Sequence, residues 1–144
     1  MKTLTLSQLK TWNPCNGHDW LGEFKEKYGK SAPMFKVEKE LIERKEYSAI
    51  SWMIGKRLEK LTKRQCCMFS YRCANRALKH ARKKDLKVLK HAISFAKQYA
   101  DTGKVDEGAA RSAWSVASAA TSAASATSVE YEWQLRQLNE IEDV

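Results

Sequence analysis

The chain of 144 residues has only two prolines and six glycines. That is too little punctuation for a β-protein built from many tight turns. No apolar run approaches the roughly 18–20 residues that cross a bilayer, so a membrane span is not expected. The opening Met1–Ser7 turns polar too soon to read as a signal peptide. Export is therefore not expected, and the cytoplasm is the expected location: the host's, if a phage encodes the chain. Catalytic signatures are missing as well: there is no P-loop, no G-x-G-x-x-G and no H-E-x-x-H. No Ser or Cys sits in a recognisable nucleophile turn. Acidic residues such as Glu38, Glu40 and Glu43 fall on a polar helix face, where nothing would tune them for acid–base work. An enzyme is not expected, and no cofactor is called for.

Four cysteines are present: Cys15, Cys66, Cys67 and Cys73. Cys66 and Cys73 lie two helical turns apart, about 10 Å, beyond disulfide reach. Buried free thiols are the expectation. A zinc site from Cys15, His18 and one of Cys66 or Cys73 is conceivable, as is a Cys73–His80 pair. There is no C-x2-C, however, and the balance falls against a metal.

What the chain does have is charge in one place. It carries 26 Lys+Arg against 17 Asp+Glu, a formal +9. Residues 56–90 hold thirteen basic and two acidic residues, a net of +11. The remainder nets −2, and Glu130, Glu132, Glu140, Glu142 and Asp143 make the C-terminal segment acidic. Such an asymmetry gives a directed field that steers polyanions or acidic protein surfaces.

The hydropathy pattern is helical throughout. A helix is expected over Leu4–Trp12, and a turn over Asn13–Gly17. Trp20, Leu21, Phe24 and Tyr28 define a second helix, stopped by Gly29. Ser31-Ala32-Pro33 is expected to start the third. Residues 46–61 give another, with Gly55 inside it marking a close helix contact. Thr62 and Gln65 have capping-box spacing for a helix that runs to Arg82 or Lys83. Asp85 is expected to cap the next, which Gly103 ends. Leu78-Lys79-His80-Ala81 recurs as Leu89-Lys90-His91-Ala92, too little to establish a repeat. Residues 109–128 are nearly all Ala, Ser and Thr, yet Ala113, Ala117, Ala120 and Ala124 keep to one face. This favours a helix over a low-complexity linker. Continued through Tyr131, Leu135 and Leu138, the pattern predicts one long helix from about Asp106 to Glu142.

The fold class expected is all-α: a single domain, a bundle of five to seven helices with a long Ala/Ser-rich C-terminal helix. Its parts would be aromatic N-terminal helices (1–61), a basic helical pair (62–104) and the long helix (105–142). Trp12, Trp20, Phe24, Tyr28 and Phe35 are expected to form a satellite core. If exposed, Trp12, Trp20 or Trp52 would be an interface anchor.

The candidate binding residues are Arg72, Arg76, Lys79, Arg82, Lys83, Lys87 and Lys90. Arg72, Arg76, Lys79 and Lys83 recur at i, i+4, i+7 and i+11 and would form one basic stripe. Lysine and arginine on one face release counterions from phosphate or pair with carboxylates. Base readout wants more than the nearby Asn75 and Gln65. A protein partner with an acidic surface, a nucleic acid (DNA or RNA) and a merely solvated face balancing the acidic segment all stay open. An Ala face can also pack between two copies, which leaves a homo-oligomer open.

Two stretches resemble known proteins. Trp12-Asn13-Pro14-Cys15-Asn16-Gly17-His18-Asp19-Trp20, then Phe24 and Gly29, is similar to the opening of many small bacteriophage proteins. Ala96, Tyr99, Ala100 and Gly103, then Asp106-Glu107, the Ala/Ser run and Trp133, resemble the immunity-protein domains of bacteria and phages. The resemblance implies stoichiometric neutralisation of a toxin or host protein, such as counter-defence against a nuclease or defence complex. It supplies no catalytic residue. The alternative class is a basic nucleic-acid-binding accessory protein.

Overall fold

A computed structural model describes residues 2–14, 18–78, 83–104, 108–124 and 127–143. The chain begins with a short strand, β1 (Thr3–Thr5), and α1 (Leu6–Trp12), then α2 (Trp20–Tyr28). A second strand, β2 (Ser31–Pro33), leads into α3 (Met34–Glu43) and α4 (Tyr47–Leu58). The rest is helical: α5 (Lys63–Ala77), α6 (Lys83–Thr102), α7 (Ala109–Ala124) and α8 (Thr127–Glu142). The class is all-α, as expected, with eight helices among the described residues rather than five to seven.

The first departure is local. Residues 3–5 and 31–33 are extended and pair antiparallel, with Leu4 opposite Ala32. Thr-Leu-Thr alternates polar and apolar with a period of two, so Leu4 points inward and is fully buried. Helix α1 therefore starts at Leu6, after Thr5, which forms a capping box with Gln8. Helix α3 starts at Met34 instead of Ser31, because Ser31–Pro33 serve the strand pair. The end of α2 is as expected: Gly29 takes φ +73, where an L side chain is strained.

The capping box at Thr62 and Gln65 is present and starts α5. The next two expectations are corrected. Helix α5 spans Lys63–Ala77, and Lys83 already belongs to α6, so the helix does not carry Arg72 through Lys83. Helix α6 is described from Lys83, so Asp85 lies inside it and is no N-cap. Residues 79–82, with Lys79, His80 and Arg82, lie outside the described residues.

The long C-terminal helix is also corrected. Gln134 Nε2 donates to the Ala117 carbonyl at 3.1 Å. In a continuous helix these residues would stand about 25 Å apart. The chain folds back, and α7 and α8 pack as an antiparallel hairpin. Helix α7 packs against α4, α5, α6 and α8, with Ala113, Val116 and Ala117 buried. Alanine at such positions lets neighbouring backbones approach closely. Gly55 does the same on α4: a Cβ there would lie 3.3 Å from the Trp114 ring of α7.

One core cluster joins the elements. Cys66, Phe69, Cys73 and Ala77 of α5 are buried, as are Leu89, Ala92 and Phe95 of α6. Trp12 and Phe24 are buried, and Trp20 and Tyr28 are half-buried beside them. Phe35, expected in that satellite core, turns outward at 66% exposure. No helix among the described residues is long and apolar enough to cross a membrane.

Candidate functional site

The two arginines of the expected basic stripe are committed within the molecule. Arg72 Nη1 donates to Gln137 Oε1 at 2.7 Å and to Glu140 Oε2 at 3.1 Å, both on α8. Arg76 Nε donates to Glu130 Oε2 at 3.0 Å, and its guanidinium lies 4.4 Å from the Trp133 ring centroid. The acidic C-terminal segment is therefore not a tail. It is a helix whose carboxylates receive the arginines of α5.

A third arginine of the basic segment, Arg57, is fully buried. It donates from Nη1 to Glu38 at 2.5 Å, from Nε and Nη2 to Glu142, and from Nη2 to Asn139. Glu38 is thus not on a polar face: it is buried, on α3. Burial pushes its carboxyl up to about 6, against the pull of Arg57. Sequence patterning missed this pair, since a charged residue defaults to the solvent side. The signal available was slight: Glu38 falls one residue after Val37, within the arc shared with Leu41.

With these three cations paired internally, the unpaired basic charge of the segment among the described residues lies on Lys60, Lys63 and Arg64 around the start of α5 and, in a longer run, on α6. Lys83, Lys84, Lys87, Lys90 and Lys97 of α6 are all exposed. None of them has an ion-pair partner among the described residues. Lys83, Lys87, Lys90 and Lys97 fall at offsets of 0, 4, 7 and 14, within one narrow arc of the helix. That arc is opposite the buried Leu89, Ala92 and Phe95. It runs about 21 Å along the axis, and Asp101 at its far end is the acidic residue sharing it. Lys83, Lys87 and Lys90 were among the expected site residues. Lys97 was not, although its spacing of seven from Lys90 places it on the same arc. Lys79 and Arg82 fall outside the described residues.

The described cysteines offer no activated nucleophile. Cys66, Cys67 and Cys73 are free and buried. Burial pushes the Cys66 thiol up to about 11 and raises Cys67, and it lifts Cys73 further, aided by nearby Glu130. A nucleophile needs the opposite shift, toward thiolate. His18, the other half of the considered zinc pair, packs against Trp20 with the rings tilted at 49° and lies 2.5 Å from Glu23 Oε2. No group of three or more His, Cys, Asp or Glu among the described residues could hold a metal ion. Cys15 and His80 lie outside the described residues.

The fold and this surface define an all-α bundle with one lysine-rich helix face. Comparison with protein-family models, curated proteins and solved structures found no match.

Proposed function

We propose that this protein acts by stoichiometric, non-enzymatic binding of a macromolecule through the lysine face of α6, in the manner of an immunity-type inhibitor. The carrying observation is the contrast between two sets of cations. Arg57, Arg72 and Arg76 are consumed by Glu38, Glu142, Glu140 and Glu130. The α6 lysines are exposed and unpaired among the described residues. Lysines in that state contribute little to folding and much to steering and docking.

An acidic protein surface fits better than a nucleic acid. Arg72 and Arg76, the arginines of the expected stripe, are engaged by α8, and α6 itself offers lysines but no arginine for bidentate contact with guanine or phosphate. Leu78, the C-cap of α5, is exposed at 42%, and an exposed apolar residue suits a protein interface. A toxin or host protein with an acidic patch is the partner class.

The test is capture of a partner by tagged protein, compared with a variant carrying Lys83, Lys87, Lys90 and Lys97 all changed to Glu. Loss of capture with an unchanged melting curve is the expected result. Duplex DNA and single-stranded RNA are titrated alongside. Tight binding to either at about 100 mM salt, with a steep salt slope, would replace the protein partner by a nucleic acid.

A further inference from the structure

A cavity of about 190 Å³ opens between α1, α2, α3 and α4, far along the chain from the α6 lysines. Its walls are apolar and aromatic: Leu9, Phe24, Val37, Leu41, Trp52 and Met53 contribute, and Trp20 stands at the side. Its mouth is ringed by charge. Glu23 is bonded to His18 and Arg44 and lies 3.5 Å from Lys27. Glu40 accepts from Tyr28 Oη and lies 3.7 Å from Lys27. Glu46 lies 3.7 Å from Arg44.

We propose that this cavity is a binding site for a small, flat, neutral ring molecule carrying one hydrogen-bond donor, of the indole or phenol class. Three observations set that chemistry. Size comes first: an apolar protein cavity of about 150 Å³ suffices for benzene, so this one of about 190 Å³ has room for a single or fused ring. Polarity follows from the walls, where aromatic faces reward stacking and edge contacts with another ring. Charge follows from the mouth. Each ionic group there already has a partner among the described residues, so none is left to receive a charged ligand. The rim sets three carboxylates, Glu23, Glu40 and Glu46, against two fixed cations, Lys27 and Arg44, and this net negative balance disfavours an anion. Tyr28 and Lys27 reach Glu40 through Oε2, and Arg44 reaches Glu46 through Oε1, so an N–H or O–H at the ring edge finds an acceptor at Glu40 Oε1 or Glu46 Oε2. The fit is of the kind small-molecule sites show: apolar walls and a few convergent polar atoms.

The probes are indole, phenol and benzoate, read by chemical-shift changes at the Trp20 and Trp52 indole N–H groups. Indole and phenol are expected to saturate, with a dissociation constant of about 1 mM or tighter, and benzoate to bind at least about ten-fold more weakly. Ala49 lines the same cavity on α4. Ala49→Trp fills it, and is expected to weaken indole binding at least about ten-fold while the melting curve stays cooperative. If that variant does not fold, nuclear Overhauser contacts from bound indole to Trp52 and Leu41 in the unaltered protein locate the ligand instead. The proposal is overturned by no saturation up to about 5 mM indole, by benzoate binding as tightly as indole, by unchanged binding in the filled variant, or by contacts elsewhere. None of these outcomes bears on the α6 face.

Discussion

Arg57 is the residue on which three helices converge. Its guanidinium, fully buried on α4, holds Glu38 of α3 and Asn139 and Glu142 of α8. A buried pair is weak evidence of net stability, because desolvation offsets much of the attraction. Removing one partner is another matter. Arg57→Ala strands Glu38 in a buried site and is expected to cost about 3–5 kcal/mol in urea denaturation. The pH dependence follows with its own sign. Glu38 has its folded carboxyl raised from 4.5 to about 6 by burial. The folded state therefore binds this proton more readily than the unfolded chain, and the site adds stability as pH falls from 7 toward 4.5. Glu38→Gln should remove that rise. Glu23 works the other way: the hydrogen bond from His18, with Arg44 beside it, holds it down from 4.5 to about 2. Its stabilising contribution is present above pH 4.5 and is lost as pH falls toward 2. Comparing the wild-type and Glu38→Gln denaturation profiles between pH 7 and 5 checks the first of these signs. Gly55 was legible in the sequence as a point of close approach, and the Trp114 ring sits where a side chain would go. Gly55→Leu should overpack this contact at about 1–3 kcal/mol, measured the same way.

At the scale of elements, what was legible depended on length and on local chemistry. The capping box at Thr62 and the stop at Gly29 involve residues within one turn, and they were readable at once. The β1–β2 pair was not, because three residues of alternation in Thr3-Leu4-Thr5 are too few to compete with a helical pattern that continues past them. Nor was the break between α7 and α8. Ala, Ser and Thr keep a helical period across residues 109–128 without a Gly or Pro to interrupt it. The decisive information is tertiary: Gln134 is buried and bonds to the Ala117 carbonyl and Thr121 Oγ1 on α7. A single straight helix would leave Gln134 free of α7, and its replacement there would be close to neutral. In the hairpin, Gln134→Ala is expected to cost about 1–3 kcal/mol, since it strips buried groups of their partner. Equilibrium unfolding of that one variant distinguishes the two arrangements.

For the whole molecule, net charge proved a poor guide until partners were assigned. The excess in residues 56–90 was visible in the sequence, but which cations are spent internally was not. Arg72 and Arg76 share the period of the expected stripe, yet their side chains reach α8, more than fifty residues away in sequence. No local pattern can report such a pairing. Lys83, Lys87 and Lys90 were legible as basic residues, but their common face with Lys97 emerges only once Lys83 is placed in α6 and not in α5; no ion pair takes them up among the described residues. Arginine–carboxylate contacts tie α3, α4, α5 and α8 together, while the α6 lysines face solvent without an ion-pair partner among the described residues. That division of labour is the central claim, and it separates cleanly by mutation. The most direct measurement is partner capture by the Lys83→Glu, Lys87→Glu, Lys90→Glu, Lys97→Glu variant, with thermal unfolding recorded on the same sample. Capture lost and unfolding unchanged is the predicted result. Capture retained at the wild-type level by a folded variant would contradict it.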